Sequence, residues 1–235
     1  MMEDGHGEYL RLVLLGYKNE VASNSLTQQA YLVILKAIRN LYLEPGKSFL
    51  EREITDLLEM SRTPVHEALI RLEMEGWLKV IPRKGFKVEP ILRRIIIEIS
   101  EITEVLDGLA VELATNIISN EELDRLDRLI DKQEEAMYNK NLKTYVAVDQ
   151  EFHNLIVDQS RNNRLIKAMA NYSDQLYRAR LYTINARKLP IQSIQEHRAI
   201  VAAIRAKNKI AARELMQGHR HRGSLEIADI IKKKS

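Results

Sequence analysis

The chain has 235 residues, 45% of them hydrophobic and 29% charged, a composition typical of a globular protein of one or two domains. Its formal net charge of +3 does not by itself indicate nucleic-acid binding, and the absence of cysteine excludes disulfides and thiolate metal ligands. Because no apolar run approaches the roughly 20 residues that cross a bilayer, and the run Leu12–Leu15 is too short for a signal-peptide core, we expect a cytoplasmic protein with no membrane partner.

The first helical pattern begins only after an N-terminal segment that lacks one. Residues 1–24 show no sustained hydrophobic period and are expected to form a loosely attached N-terminal extension. Ser25 and Gln28 then have the spacing of a capping box, and apolar residues recur at helical intervals as far as Leu41. The Pro-Gly pair at 45–46 ends this predicted helix.

Two further helices are predicted before the helical pattern stops. Ser48 and Glu51 have capping-box spacing and are predicted to open the second helix. The third is predicted to begin with Thr63 as its N-cap and Pro64 in the first helical position, where the missing N–H costs nothing. Gly76 ends it, since glycine readily adopts the left-handed conformation that follows many helices.

A short hairpin is predicted next. The runs Trp77–Ile81 and Phe86–Val88 have the character of strands, and a turn at Pro82–Gly85 separates them. Three helices followed by a two-stranded hairpin is the order of a winged helix-turn-helix, and Pro90 marks its end. We therefore expect residues 25–90 to form a DNA-binding domain.

After Pro90 the sequence shows helical patterns throughout. Breaks near residues 139–141, 161–163, 189–190 and 207–209 divide this segment, and serines 119 and 193 each precede a glutamate at capping-box spacing. The expected fold of residues 91–230 is an all-helical bundle of about six helices. The whole chain is therefore predicted to be mainly α-helical.

The predicted third helix carries side chains suited to DNA. A recognition helix enters the major groove at its N-terminus, where free N–H groups and the helix dipole favour phosphate. Ser61 and Thr63 are suited to phosphate contacts, and Arg62 to the paired acceptors of guanine. The wing would reach the adjacent minor groove or the backbone through Arg83, Lys84 and Gly85.

Three of the six histidines lie on apolar helical stripes, which predicts that they are buried. Asp149 and His153 are four residues apart and share one helix face, while His197 and His219 belong to two other predicted helices. Buried polar groups need partners. A divalent metal (Zn, Ni, Mn or Fe) would satisfy all four together, and ordinary hydrogen bonding in the core would satisfy each singly. Spacing alone leaves both interpretations open.

Residues 26–90 resemble the DNA-binding domain of the GntR family of transcription regulators. The likeness is carried by Pro-Gly at 45–46, Glu-Arg-Glu at 51–53, Ser-Arg-Thr-Pro-Val-His-Glu-Ala-Leu at 61–69 and Pro-Arg-Lys-Gly at 82–85. The resemblance implies that the DNA contacts include Arg52, Arg62, Thr63 and Gly85. The family usually has arginine where this chain has His66, so His66 is a candidate contact of altered strength.

Residues 95–228 resemble the FCD effector domain of the FadR-like branch of the same family. Asp149-Gln-Glu-Phe-His153, Glu196-His197-Arg-Ala-Ile and Met216-x-x-His219 carry this likeness. The resemblance implies a divalent metal held by the quartet Asp149, His153, His197 and His219. It also implies a small-molecule effector in the same domain.

The first helix of the effector domain departs from the family pattern. Where many members have arginine this chain has Thr103, and aspartate replaces glutamate at position 107. If that arginine binds a carboxylate effector, another cation must replace it here. Arg178, Arg180 and Arg187 are the candidates, although at least two of these three are expected to face solvent. Thr103, Arg178 and Arg180 are the predicted effector contacts.

The resemblance and the motifs predict a transcription regulator that binds double-stranded operator DNA. A homodimer is expected, because one recognition helix reads too few base pairs for useful specificity. Regulation by a carboxylate-bearing metabolite is the leading hypothesis, with repression as its expected outcome. A regulator that senses the metal itself, a metal-dependent enzyme and, least of all, a pure interaction module are the alternatives.

Overall fold

A computed structural model describes residues 4–21, 23 and 25–234 of the protein. The chain divides into two compact units, residues 1–90 and 91–235. The described residues contain ten α-helices, one short 3-10 helix and three short strands, which confirms the predicted mainly helical class. Within these described ranges, no helix is both long and apolar enough to cross a membrane.

The first unit is a winged helix-turn-helix preceded by one additional helix. Its elements are α1 (Asp4–Glu20), α2 (Leu26–Arg39), β1 (Ser48–Phe49), α3 (Glu51–Leu58), α4 (Arg62–Met74), β2 (Leu78–Ile81) and β3 (Gly85–Val88). The strands form an antiparallel sheet in the order β1-β3-β2. Helices α2, α3 and α4 and the sheet share one hydrophobic core, which includes Ile34, Leu69 and Trp77.

Helix α1 corrects the expectation of a loosely attached extension over residues 1–24. Leu10 and Leu14 are buried in the core of the first unit, and Tyr17 packs against it. These three residues lie on one helix face. The stripe is obscured in the sequence because Tyr9 and Leu12 are apolar but exposed, and because glycines within the segment lower its helix propensity. Residues 1–3, 22 and 24 of this segment lie outside the described residues.

The start of the second predicted helix is also corrected. Ser48 lies in β1, where it pairs with Lys87, and α3 begins at Glu51. The Leu50 N–H donates to Glu53 Oε2 at 2.8 Å, so the helix start is satisfied from position 53 and not from a serine cap. The predicted two-stranded hairpin is therefore part of a three-stranded sheet.

Helix α4 begins slightly earlier than predicted. Its N-cap is Ser61, which puts Pro64 in the third helical position and not the first. This position still costs no hydrogen bond, because the first four N–H groups of a helix have no partner within it. The helix ends as predicted before Gly76, which has a φ of +79°.

The second unit is an all-helical bundle. Its elements are α5 (Arg93–Ile117), α6 (Asn120–Tyr138), α7 (Leu142–Gln159), α8 (Asn163–Thr183), a 3-10 helix (Ile184–Ala186), α9 (Ile191–Arg205) and α10 (Lys209–Lys234). Ser119 caps α6 as predicted, since its hydroxyl accepts from the Glu122 N–H at 3.2 Å. Ser193, in contrast, lies inside α9, which begins after Pro190.

Candidate DNA-reading surface and candidate metal centre

The residues expected to contact DNA are exposed on the first unit. Ser61, Arg62, Thr63 and His66 occupy the first two turns of α4, and Arg52 is exposed on α3. Helix α4 buries its opposite face through residues such as Leu69, so the N-terminal turns are held rigidly while their side chains face water. The arrangement suits a helix that presents its N-terminus to a nucleic acid.

Glu51 holds two of these residues, a contact that the sequence analysis did not predict. Arg62 Nε donates to Glu51 Oε1 at 2.6 Å, and His66 Nδ1 lies 2.7 Å from Oε2. Burial acts to raise the pKa of Glu51, but the hydrogen bonds from His66 and Arg62 outweigh it and keep the pKa below its ordinary value. The Arg62 side chain remains 85% exposed in this pair, so it is oriented without being covered.

The wing turn has a backbone that requires its glycine. Arg83 and Lys84 are exposed at the tip, and Gly85 has a φ of +87°. A Cβ atom at Gly85 would lie 2.3 Å from the carbonyl oxygen of Phe49. The close approach that the glycine permits is therefore to strand β1 of the same unit, which gives Gly85 a structural reason independent of DNA.

In the second unit, three histidines from three helices converge. His153 on α7, His197 on α9 and His219 on α10 are all buried. The Nε2 atom of His219 lies 3.2 Å from Nε2 of His197 and 3.3 Å from Nε2 of His153. The three ligand atoms lie within 4.8 Å of one another, close enough to bind one metal ion.

Asp149 lies beside this cluster, one helical turn before His153. Its Oδ1 atom is 3.7 Å from His197 Nε2 and 3.9 Å from His153 Nε2, while Oδ2 is 3.1 Å from Arg180 Nε. Burial acts to raise the pKa of Asp149, but the opposing effects, of which the charge of Arg180 is the largest, outweigh it and keep the pKa below its ordinary value. The fourth predicted ligand is therefore a carboxylate in contact with the cluster.

Outer partners fix two of the imidazole rings. His197 Nδ1 is 2.7 Å from Gln133 Oε1, and His219 Nδ1 is 2.7 Å from Glu196 Oε2. Glu196 is held in turn by Arg222, whose Nε donates to it at 2.7 Å. Burial raises the pKa of Glu196, but hydrogen bonds from His219 and Arg222 prevail and lower it to about 2.

These partners determine where the protons lie. Both Gln133 Oε1 and the Glu196 carboxylate are acceptors, so His197 and His219 must donate from Nδ1. Burial lowers the pKa of His197 well below its ordinary value and also lowers the pKa of His219, which favours the neutral form of both rings. A neutral ring that carries its proton on Nδ1 leaves Nε2 free to bind a cation, and the Nε2 atoms of His197 and His219 lie 3.2 Å apart. Such a donor set suits a divalent cation, and the Nδ1 partners match the outer shell of metal-bound histidine.

A cavity lies next to the histidine cluster. Thr103, Asp149, Arg180 and His219 contribute to its lining. The Thr103 hydroxyl donates to the Ile99 carbonyl at 3.0 Å, which satisfies it within α5. The cavity therefore brings Asp149 and His219, two of the four metal candidates, together with Thr103 and Arg180, two of the predicted effector contacts.

The expectation that at least two of Arg178, Arg180 and Arg187 face solvent is wrong. Arg178 and Arg180 are buried, and the Arg187 side chain is only 11% exposed, so at least two of these three do not face solvent. Arg180 is stable in this position because Asp149 compensates its charge. Arg178, although buried, is not among the residues that line the cavity.

Two further cations of the cavity, Lys188 and Arg220, were missed. Arg220 follows His219 on α10, lines the cavity, and places Nε 2.7 Å from Oδ2 of the buried Asp107. Asp107 is the one charged residue among the buried residues of α5, and that was the available signal. Gln133 gave the same kind of signal, as a buried polar residue in the apolar stripe of α6.

Both units match known families. The model for bacterial regulatory proteins of the gntR family matches residues 26–88, and the FCD domain model matches residues 98–222. The chain belongs to the GntR family. This GntR protein is a DNA-binding transcription regulator with an FCD effector domain, and both resemblances inferred from its motifs are confirmed.

Three relatives illustrate the match. The uncharacterized HTH-type transcriptional regulator YdhC of Bacillus subtilis (strain 168) is 31% identical over 81% of this chain and 86% of its own length. The HTH-type transcriptional repressor RspR of Escherichia coli (strain K12) is 22% identical over 89% of this chain and 92% of its own. The solved structure of E. coli McbR/YncC aligns with a TM-score of 0.78 at 25% identity, over 91% of this chain and 100% of that one. These relatives are regulators and not enzymes.

Proposed function

We propose that this GntR regulator is a cytoplasmic, metal-containing repressor that releases its operator when a carboxylate-bearing metabolite binds its FCD domain. The observation that carries the proposal is the cluster of three histidines and Asp149 beside a cavity lined with cations. We propose repression and not activation because RspR, a relative that aligns over most of both chains, is described as a repressor.

The proposed DNA contacts divide into two kinds. Arg62 and His66 read base edges from the major groove, since they lie on the exposed face of the first turns of α4. The others position the domain on phosphate and in the adjacent groove; they are Arg52, Ser61, Thr63, Arg83, Lys84 and Gly85. Residues 25–90 are the proposed DNA-binding domain, and residues 91–230 the proposed effector domain.

The proposed functional unit is a homodimer on a short inverted repeat. Helix α5 exposes the apolar side chains Ile102, Val105, Leu109 and Ile117, which lie along one face. An exposed apolar stripe of this kind favours burial against a second copy. Two recognition helices then double the length of DNA that is read.

The proposed metal is divalent and bound by Asp149, His153, His197 and His219. Zn, Ni, Mn and Fe all accept such a set of nitrogen and oxygen ligands, and when bound the ion supplies positive charge for an acidic effector. Arg180 forms an ion pair with Asp149 and also donates to the side chain of Gln150. These two contacts hold the Asp149 carboxylate in place. Thr103 and Arg180 are proposed effector contacts, whereas Arg178 does not line the cavity.

The switch is proposed to act through α5. Only residues 89–92 separate β3 from α5 in the sequence, so a ligand that shifts α5 changes the spacing of the two recognition helices in the dimer. An effector that binds the released state about 100-fold better supplies about 2.7 kcal/mol of coupling. That would weaken an operator complex with a nanomolar dissociation constant about 100-fold.

The test measures operator binding by fluorescence anisotropy, on DNA selected by the protein from a random library. Small organic acids are added to wild type, His197→Ala and the control His221→Ala, whose ring is exposed and contacts Glu104. We expect an active acid to release DNA from wild type and from His221→Ala but not from His197→Ala. Equal release from all three would show that the metal site does not carry the signal. Release by metal alone, without any acid, would favour the metal-sensing alternative.

A further inference from the structure

The cavity beside the histidine cluster has an unusual balance of charge. The cations that line it are Arg180, Arg187, Lys188 and Arg220, and the acids are Asp149 and Glu226. The cations outnumber the acids even before a divalent ion is counted. Apolar side chains, including Leu176 and Ile227, complete the lining.

The three arginines of this cavity are not equally compensated. Arg180 lies 3.1 Å from Asp149, and Arg220 lies 2.7 Å from Asp107. Each of these guanidinium groups therefore has a carboxylate of the protein in direct contact.

Arg187 lacks such a close partner. Its nearest ion-pair contact among the described residues is Glu226, at 3.8 Å, and that carboxylate is 45% exposed. Glu226 also forms an ion pair with Arg222 at 2.5 Å, so the charge of Glu226 is already neutralised by another arginine. The Arg187 side chain is nonetheless only 11% exposed, and burial lowers its pKa by more than the charges of Asp149 and Glu226, neither of them in close contact, raise it. A buried cation without a close anion is costly, and an anionic ligand would remove that cost.

We infer that the effector carries two acidic groups on a short aliphatic spacer, one directed to the metal centre and the other bound by Arg187. This inference rests on the proposed effector site and deepens it by naming the class of ligand. A monocarboxylate at the metal would leave Arg187 uncompensated. The apolar part of the lining suits a spacer of methylene groups.

The test compares two ligands of nearly the same size that differ by one charge. Succinate and its mono-amide, succinamate, are titrated by calorimetry into full-length, zinc-loaded protein, with malonate and glutarate added to vary the length. We expect the best dicarboxylate to bind wild type at least about tenfold more tightly than succinamate, a difference that a single charged contact can supply.

Variants at position 187 test whether Arg187 causes the preference for succinate over succinamate. Arg187→Gln should bring succinate and succinamate within about threefold of each other, whereas Arg187→Lys, which keeps the charge, should preserve most of the difference. Arg198→Gln is the matched control, because Arg198 is half-exposed and pairs with Glu134 outside the cavity. Thermal unfolding establishes that each variant is folded, and Arg187→Lys still tests the charge if Arg187→Gln does not fold.

Two results would overturn the inference. One is an undiminished preference for the dicarboxylate in Arg187→Gln. The other is the absence of dicarboxylate binding to metal-loaded wild type at about 10 mM, where even a ligand of millimolar affinity would occupy most sites. Binding as expected without any release of operator DNA would instead refute the proposed function and leave the assignment of Arg187 standing.

Discussion

The two units of the molecule differ in how they hold the charged groups proposed for function. In the winged helix, Arg62 is 85% exposed and Glu51 merely orients it. In the FCD domain, Asp149 is buried against Arg180 and three histidines. Exposed groups are solvated by water until DNA replaces it, so they contribute little to folding. Buried groups must be satisfied within the fold. Substitutions of these charged groups should therefore alter DNA binding in the first unit and the free energy of unfolding in the second.

The largest expected effect tests the buried half of this comparison. His197→Ala should remove most of the stabilisation by metal, which for one site is about 4 kcal/mol when free metal is 1,000 times the dissociation constant. The measurement is the free energy of unfolding with and without zinc, for wild type and for the exposed control His221→Ala. Equal zinc stabilisation of both variants would mean that the cluster does not bind metal.

The next effect concerns the helix that precedes the winged helix. Leu14 is fully buried whereas Leu12, two residues earlier, is 66% exposed. Leu14→Ala should destabilise the first unit by about 2–5 kcal/mol, because it removes buried surface and leaves a cavity. Leu12→Ala should change the free energy of unfolding by less than about 0.5 kcal/mol. Urea unfolding followed by Trp77 fluorescence reports on this unit, and equal effects of the two substitutions would contradict the packing of α1.

Most elements of both units, though not α1 or β1, were predictable because they depend on local patterns. Capping residues, glycine stops and the change from helical to alternating period identified α2, α4, the hairpin and the breaks of the bundle. Strand β1 was not predictable in this way. Its two residues form a strand only because Phe49 pairs with Phe86, which is distant in sequence.

The same limit applies to the candidate site. Helical spacing identified Asp149 and His153 as one face, and the motifs identified the remaining ligands. The outer partners depend on tertiary contacts that no local pattern encodes, since Gln133 and His197 are 64 residues apart. A polar residue within an apolar stripe indicates only that a partner exists, not which residue it is.

A smaller effect tests the exposed half of the comparison. Arg62→Ala should cost about 1–3 kcal/mol of operator affinity and relax the preference at one base pair. Lys84→Ala should weaken binding to all sequences alike and reduce the salt slope by about one. Anisotropy titrations on single-base operator variants at several salt concentrations separate these outcomes. Neither substitution should lower the free energy of unfolding by more than about 0.5 kcal/mol, as is usual for exposed positions.

The smallest effect concerns the pH dependence of the Glu51 pair. The folded-state pKa of Glu51 is below its ordinary value, so the pair stabilises the fold above the unfolded pKa of about 4.3, and this contribution is lost as pH falls through the folded-state pKa. The Arg62 partner is exposed and solvent screens it, so the contribution should be only about 0.5 kcal/mol. The measurement is the free energy of unfolding of wild type and Glu51→Gln from pH 6 to pH 3. The free energies of unfolding of the two proteins should differ at pH 6 and converge at pH 3.

Glu98→Gln, which removes the partner of exposed Arg94 on α5, is the matched control and should show a smaller change. A difference that grows as the pH falls would mean that the carboxylate of Glu51 does not stabilise this unit through its charge.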